Sequence, residues 1–218
     1  MRNTNLQQKY RKRLTDPRYK EGIREPLYDY LTYDSGVTTS LKFFQTQVGG
    51  SKTKSDTNVP LNGQLPAGQK YVAEVLAIEV LPGSSAASYA RQDPVKTATA
   101  LAAPNFANDV WALLHKGFLE VTVGTKPYLT APLLDFPSIT GLGITPAAAV
   151  ENTGTTVQNQ ITVDYGRLIG RPYVLDPEIP IEGLTNFDVT LTWDSAVTLP
   201  SGFDARIGVK FYGIRFRN

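Results

Sequence analysis

Residues 205–217 read ARIGVKFYGIRFR, and this stretch decides the fold. Ala205, Ile207, Val209 and Phe211 alternate with Arg206, Gly208, Lys210 and Tyr212. Side chains of a strand point to opposite faces in turn, so one apolar face at a period of two is a half-buried β-strand. Beyond Gly213 the apolar phase passes to Ile214 and Phe216. One inserted residue inverts the faces of a strand, so the change of phase predicts a β-bulge at Gly213.

Working outward, NFDVTLTW (186–193) shows the same alternation, with Phe187, Val189, Leu191 and Trp193 on one face. LIGRPYVL (168–175), QITVDYG (160–166), FLEVTV (118–123) and LKFFQTQ (41–47) are further strand candidates, rich in β-branched and aromatic residues. YVAEVLAIEVL (71–81) is almost continuously apolar, as a strand covered on both faces is; LPAGQ (65–69) opens it and Pro82-Gly83 closes it. Only NFANDVWALLHKG (105–117) has helical spacing, through Phe106, Val110, Leu113 and Leu114, with Asn105 or Asn108 as cap and Gly117 as terminator. The polar GGSKTKSDTN (49–58) and the Ala/Ser/Thr-rich residues 84–104 read as loops. Residues 126–156 form a Pro-, Gly- and Ala-rich passage with few charges, suited to a surface or to contact with a neighbouring copy. About eight to ten short strands, one helix and no βαβ rhythm predict an all-β antiparallel sandwich or barrel.

The charge is unevenly placed. Residues 1–24 carry eight Lys/Arg against Asp16 and Glu21, a local +6, which leaves 14 basic and 18 acidic residues, a net of −4, for the rest. Residues 1–26 therefore read as a basic N-terminal arm and 27–218 as the folded domain. The arm's Lys9, Arg11, Lys12, Arg13, Arg18, Lys20 and Arg24 are the candidate contacts to an anionic partner, either nucleic acid or a membrane surface. No apolar run follows it, so it is not read as a secretion signal. With no cysteine in the chain, disulfides, thiolate metal sites and cysteine nucleophiles are excluded.

The inventory of reactive groups is sparse. His115 is the single histidine and stands on the apolar-patterned helix, where a structural role is expected. No nucleophile elbow and no phosphate-binding glycine loop occurs; Gly49-Gly50-Ser51-Lys52 lacks the spacing and reads as a flexible turn. Asp176, Glu178 and Glu182 cluster in LDPEIPIEG, where two carboxylates could serve glycoside hydrolysis or oxygen ligands a calcium ion, but the spacing and the lack of a dense Asp/Asn/Gly pattern stand against both. Pro177 and Pro180 argue instead for a solvated sheet edge. Tyr28, Tyr30 and Tyr33 follow the arm; exposed, they would stack sugars or bases, and buried, they would pack where arm meets body. The expectation is a protein without catalytic residues, metal or cofactor, one that acts through its surface and copy number.

Taken together, the basic MRNTNLQQKYRKR, the segment TNVPLNGQLPAGQKYVAEVLAIEVLPG, and the final GRPYVLDPEIPIEGLTNFDVTLTWDS and DARIGVKFYGIRFRN resemble the jelly-roll capsid proteins of icosahedral bacteriophages, particularly tailless ones, over most of residues 27–218. The length suits one elaborated jelly roll better than two fused ones. The resemblance implies a virion structural protein, assembled in the host cytoplasm, that builds a symmetric shell from many copies of itself beside other virion proteins. The arm would then face genome or lipid inside. A carbohydrate- or receptor-binding sandwich of a spike is the alternative reading, and a hydrolase using Asp176, Glu178 or Glu182 a third.

Overall fold

The alternating C-terminal run becomes the centre of the larger of two sheets. The computed structural model describes residues 21–82, 106–136, 141–144, 149–153, 156–160, 163–167, 173–200 and 202–217. In chain order the elements are β1 (Glu21–Arg24), β2 (Leu27–Tyr33), β3 (Ser40–Phe43), β4 (Gln69–Pro82), α1 (Phe106–Lys116), β5 (Gly117–Val123), β6 (Lys126–Pro132), a 3-10 turn (Leu133–Asp135), β7 (Gly141–Ile144), β8 (Ala149–Thr153), β9 (Thr156–Gln160), β10 (Val163–Arg167), β11 (Tyr173–Glu182), β12 (Phe187–Trp193) and β13 (Ala205–Arg217). One sheet is ordered β1-β13-β4-β11, with β2 also on β13; the second is ordered β3-β12-β5-β6. All pairings are antiparallel. Two hairpins, β7 with β10 and β8 with β9, are nested in sequence between β6 and β11.

A single hydrophobic cluster joins the two sheets. Leu76, Ile78, Ile207, Val209 and Phe211 from the first meet Phe43, Leu119, Val121, Val189 and Leu191 from the second, all buried. Each such side chain contributes about 1.5–3 kcal/mol on burial, so this face-to-face contact holds the sandwich together. At one end the Trp193 ring meets Tyr33 edge-on at 4.8 Å, and its Nε1–H donates to the Leu113 carbonyl at 3.0 Å. That bond ties α1 to the core, into which Leu113 and Leu114 point while Trp111 stays exposed. Asn108 falls inside the helix and is not its cap, and Gly117 opens β5.

The structure corrects several expectations. The bulge at the phase change lies on β4, not on β13: Tyr212 pairs with Val75 and Gly213 with Ala73, so Glu74 is the extra residue. β13 keeps its alternation, and Ile214 and Phe216 form a small buried cluster with Val72 on the opposite face from Phe211. Gly213 is required for a different reason, since a Cβ there would stand 1.9 Å from the Val72 carbonyl oxygen. The arm boundary also moves. Arg24 pairs with Ile214 and Leu27 with Phe211, so β1 and β2 keep one register on β13, and only the pairing lapses, at Glu25 and Pro26, where Pro26 has no N–H to give. The sheet therefore takes in Glu21–Arg24, which had been assigned to the arm.

KPYLTAP, within the passage expected to wander, is strand β6. It is the outer strand of its sheet, where Pro127 and Pro132 withhold no ladder bond that a neighbour needs. The 160–166 candidate is divided, with β9 ending at Gln160 and β10 starting at Val163. Residues 84–104 lie outside the described residues.

Candidate functional site

Among the described residues, the outer face of the larger sheet carries a dense polar construction. Tyr28 and Tyr30 stand on β2 facing away from the core, and Tyr33, on the opposite face, is fully buried. The three tyrosines are thus divided between the two roles weighed for them. Gly208 pairs with Tyr30 across the ladder, and a Cβ at 208 would lie 2.3 Å from the Tyr30 Cε1. The missing side chain lets the ring settle flat on the sheet. The Tyr30 hydroxyl donates to Glu79 Oε2 on β4, and Lys210 Nζ donates to Glu79 Oε1 at 2.8 Å. The Arg206 guanidinium lies 4.6 Å from the ring centroid, within cation–π range, and Lys210 Nζ lies 5.5 Å away.

Electrostatics here follow from burial. Burial first, and then the hydrogen bond to Glu79, push the Tyr30 phenol up to about 12, so it stays a neutral donor. Burial pulls the Lys210 ammonium down, but its bonds to Glu79 and Tyr30 outweigh that and leave it above its ordinary value. Lys210 therefore remains a cation. Around this cluster Pro26, Tyr28, Tyr30, Lys54, Ser55, Lys210 and Tyr212 line a hollow of about 300 Å³.

The 49–58 segment, read as a polar loop, forms one wall. Tyr30 N–H donates to the Asp56 carbonyl at 2.8 Å, and Asn58 N–H donates to the Tyr28 carbonyl at 3.3 Å, which covers the outer edge of β2. Thr53 N–H and Oγ1–H both donate to Asp56 Oδ2, at 2.9 and 2.7 Å; the hydroxyl bond foremost holds the Asp56 carboxyl below its ordinary value. Arg206 Nη2 reaches Asp56 Oδ1 and the Ser55 carbonyl. Beneath, Lys52 Nζ donates to Asp29 Oδ1 at 2.6 Å and Phe44 N–H to Asp29 Oδ2 at 2.7 Å. Asp29 is fully buried on the core side of β2. Burial holds its carboxyl above the ordinary value, against the lowering pull of Lys52 and the Phe44 amide.

Lys9, Arg11, Lys12, Arg13, Arg18 and Lys20 lie outside the described residues. Arg24 sits in β1, where its Nη1 meets Glu74 Oε2 at 3.3 Å, so this residue is a sheet residue with an acid beside it. Asp176 and Glu178 fall in an irregular stretch of β11, where Val174 pairs with Val75 and Ile179 with Ala73. Glu182 is bonded to Lys70 Nζ at 2.6 Å, at the edge of the sheet. These acids line neither of the two hollows described. His115 stays on the outside of α1 with its ring 5.6 Å from that of Trp111, beside a second hollow of about 430 Å³ lined also by Phe118, Glu120, Thr190, Thr192 and Asp194. Among the described residues no group of three or more His, Asp or Glu is placed to hold a metal ion, and no helix is long and apolar enough to cross a membrane.

Asp29, Asp56 and Glu79 were not singled out from sequence, and Lys52 only as part of the 49–52 turn. One signal existed for Asp29: in LYDYLTY it occupies the phase of Leu27, Leu31 and Tyr33, and an acid in an apolar phase needs a buried partner. Comparison with protein-family models, with curated proteins and with solved structures yields no match for this chain.

Proposed function

We propose that this chain is a capsid subunit built on a single elaborated jelly roll. The observation that carries the reading is the order of pairing. Take β1–β2 as one strand and number the eight sandwich strands along the chain, leaving out the nested hairpins. The first then pairs with the eighth (β2 with β13), the second with the seventh (β3 with β12), the third with the sixth (β4 with β11) and the fourth with the fifth (β5 with β6). A long antiparallel hairpin rolled into two sheets has this order, and shell proteins and lectins use it. Two further features favour the shell over the lectin. The segment before β1 is strongly basic, which a receptor-binding tip does not need. Large apolar side chains are also spread over separate surfaces, with Val37 73%, Val174 68%, Trp111 61% and Leu184 59% exposed. A subunit that meets several symmetry mates uses several such surfaces.

The basic segment would contact nucleic acid or anionic lipid inside the particle. The test is to purify the full chain and image it by negative-stain electron microscopy, with sedimentation across protein and salt concentration. Closed symmetric particles are expected. A monomer under every condition overturns the reading.

A further inference from the structure

From the hollow between β2, β13 and the 53–58 loop we infer that the body of this protein has its own binding site for a nucleotide unit, with the base against the Tyr28 and Tyr212 rings and the phosphate at Lys54 and Lys210. The inference goes beyond the capsid reading and does not need a shell to form.

Three features of the hollow carry it. First, its size: about 300 Å³ lies at the lower end of small-molecule sites, enough for one nucleotide and too little for a folded partner. Second, its lining is aromatic and cationic together. Tyr28, Tyr30 and Tyr212 border the same space as Lys54 and Lys210. Tyr28 and Tyr30 meet edge-on, with centroids 6.2 Å apart, and Tyr212 keeps 36% of its surface exposed. Stacked bases and bound phosphates are recognised by this pair of chemistries, whatever the sequence of the strand. Third, the walls are fixed before any ligand arrives. Glu79, 7% exposed, holds Tyr30 and Lys210 at once, the Tyr28 hydroxyl donates to the Lys54 carbonyl, and Asp56 with Arg206 anchors the loop.

The chemistry selects among ligands. A neutral sugar is held by carboxylates and amides that accept from its hydroxyls, and no Asp, Glu, Asn or Gln is among the residues lining the hollow. The nearby acids Glu79 and Asp56 are bonded within the wall. Lys210 commits donors to Glu79 and Tyr30 and keeps one of its three, and an ammonium beside tyrosine rings suits a phosphate. The nucleotide can be free or part of a single strand, and the two sources separate by experiment.

The full-length protein is titrated with fluorescein-labelled octathymidylate, with thymidine 5′-monophosphate and with a neutral hexasaccharide. Two variants are compared with the parent: Tyr212→Leu, and Lys54→Gln as a second variant on a different wall should the first not fold. A third, with Lys9, Arg11, Lys12 and Arg13 changed to Gln, isolates the basic segment. Each hollow variant is expected to lose affinity for the octamer by about tenfold, the size of one lost stacking or phosphate contact. In Tyr212→Leu the salt dependence stays as in the parent, whereas the basic-segment variant flattens it. Competition by the monophosphate assigns the site to a free nucleotide, and its failure to compete assigns it to a strand; either keeps the site. Unchanged octamer affinity in both hollow variants, or saturation by the hexasaccharide in place of the octamer, overturns it. Particle formation is read separately by sedimentation, so a protein that stays monomeric yet binds at the hollow loses only the capsid reading.

Discussion

The two faces of the larger sheet are built from the same strands by different rules. On the inner face Ala205, Ile207, Val209 and Phe211 are buried to within 1% against the second sheet, and their only requirement is to be apolar and to fit. On the outer face the neighbours of these residues, Arg206 and Lys210, enter contacts with Asp56, Glu79 and Tyr30 that come from distant parts of the chain. One face is thus a matter of local pattern and the other of long-range pairing. The difference teaches where stability and where specificity reside. The inner face supplies most of the free energy of folding, while the outer face spends part of it on holding charged and aromatic groups in place.

The sharpest way to break this comparison uses two adjacent residues of β13. Phe211→Ala removes a ring stacked at 5.7 Å on Phe44 in the core and is expected to cost about 4 kcal/mol. Tyr212→Ala, one residue on and on the other face, is expected to stay within about 0.5 kcal/mol. Urea denaturation of both variants checks this, and similar losses would show that the outer face is also a packed core.

A buried ion pair gives the next largest effect. Lys52→Met strands the fully buried Asp29, and an uncompensated buried charge costs about 3 kcal/mol near pH 7. The sign with pH follows from the raised Asp29 carboxyl. A group raised in this way contributes stability that is complete below its unfolded value of 3.8 and is lost as pH rises through the folded value. Without Lys52 the carboxyl rises further, so the deficit of the variant shrinks as pH falls and is gone below the ordinary carboxyl value of 3.8, where Asp29 is neutral in both proteins. Unfolding measured across that range checks it, and a deficit independent of pH would place the cost in the loop rather than in the charge.

How far these faces are legible in the sequence follows the same division. β12 and β13 are legible because a period of two with one apolar face has few other meanings. The bulge was legible as an event but not as a location. A register shift belongs to a pair of strands, and the sequence of β13 alone does not say that the extra residue is Glu74 of its partner. EGIR is short and polar, so β1 is visible only through its pairing with Phe216 and its neighbours. β6 was hidden by prolines that an outer strand tolerates. At the candidate site the tyrosines stood out by composition, whereas Glu79 meets Lys210 across 131 residues of chain, a distance no local pattern spans.

The smallest expected effect tests the outer network itself. Glu79→Gln keeps the shape of the side chain and a hydrogen-bond acceptor for the Tyr30 hydroxyl but removes the charge that Lys210 and Tyr30 share. At neutral pH the loss is expected near 1 kcal/mol, the scale of one weakened hydrogen bond to a charged group. Its pH dependence is more informative than its size. Tyr30, held at about 12 mainly by burial and then by Glu79, contributes stability that is complete below the ordinary tyrosine value of 10.0 and is lost as pH rises through the folded value. In the variant the phenol ionises earlier, so its window is narrower and the gap between the two proteins closes on the alkaline side. Near-ultraviolet phenolate absorbance follows the ionisation, and urea unfolding follows the gap. If Tyr30 ionises unchanged in the variant, burial alone holds the phenol, and the outer face is a set of independent contacts instead of one connected structure.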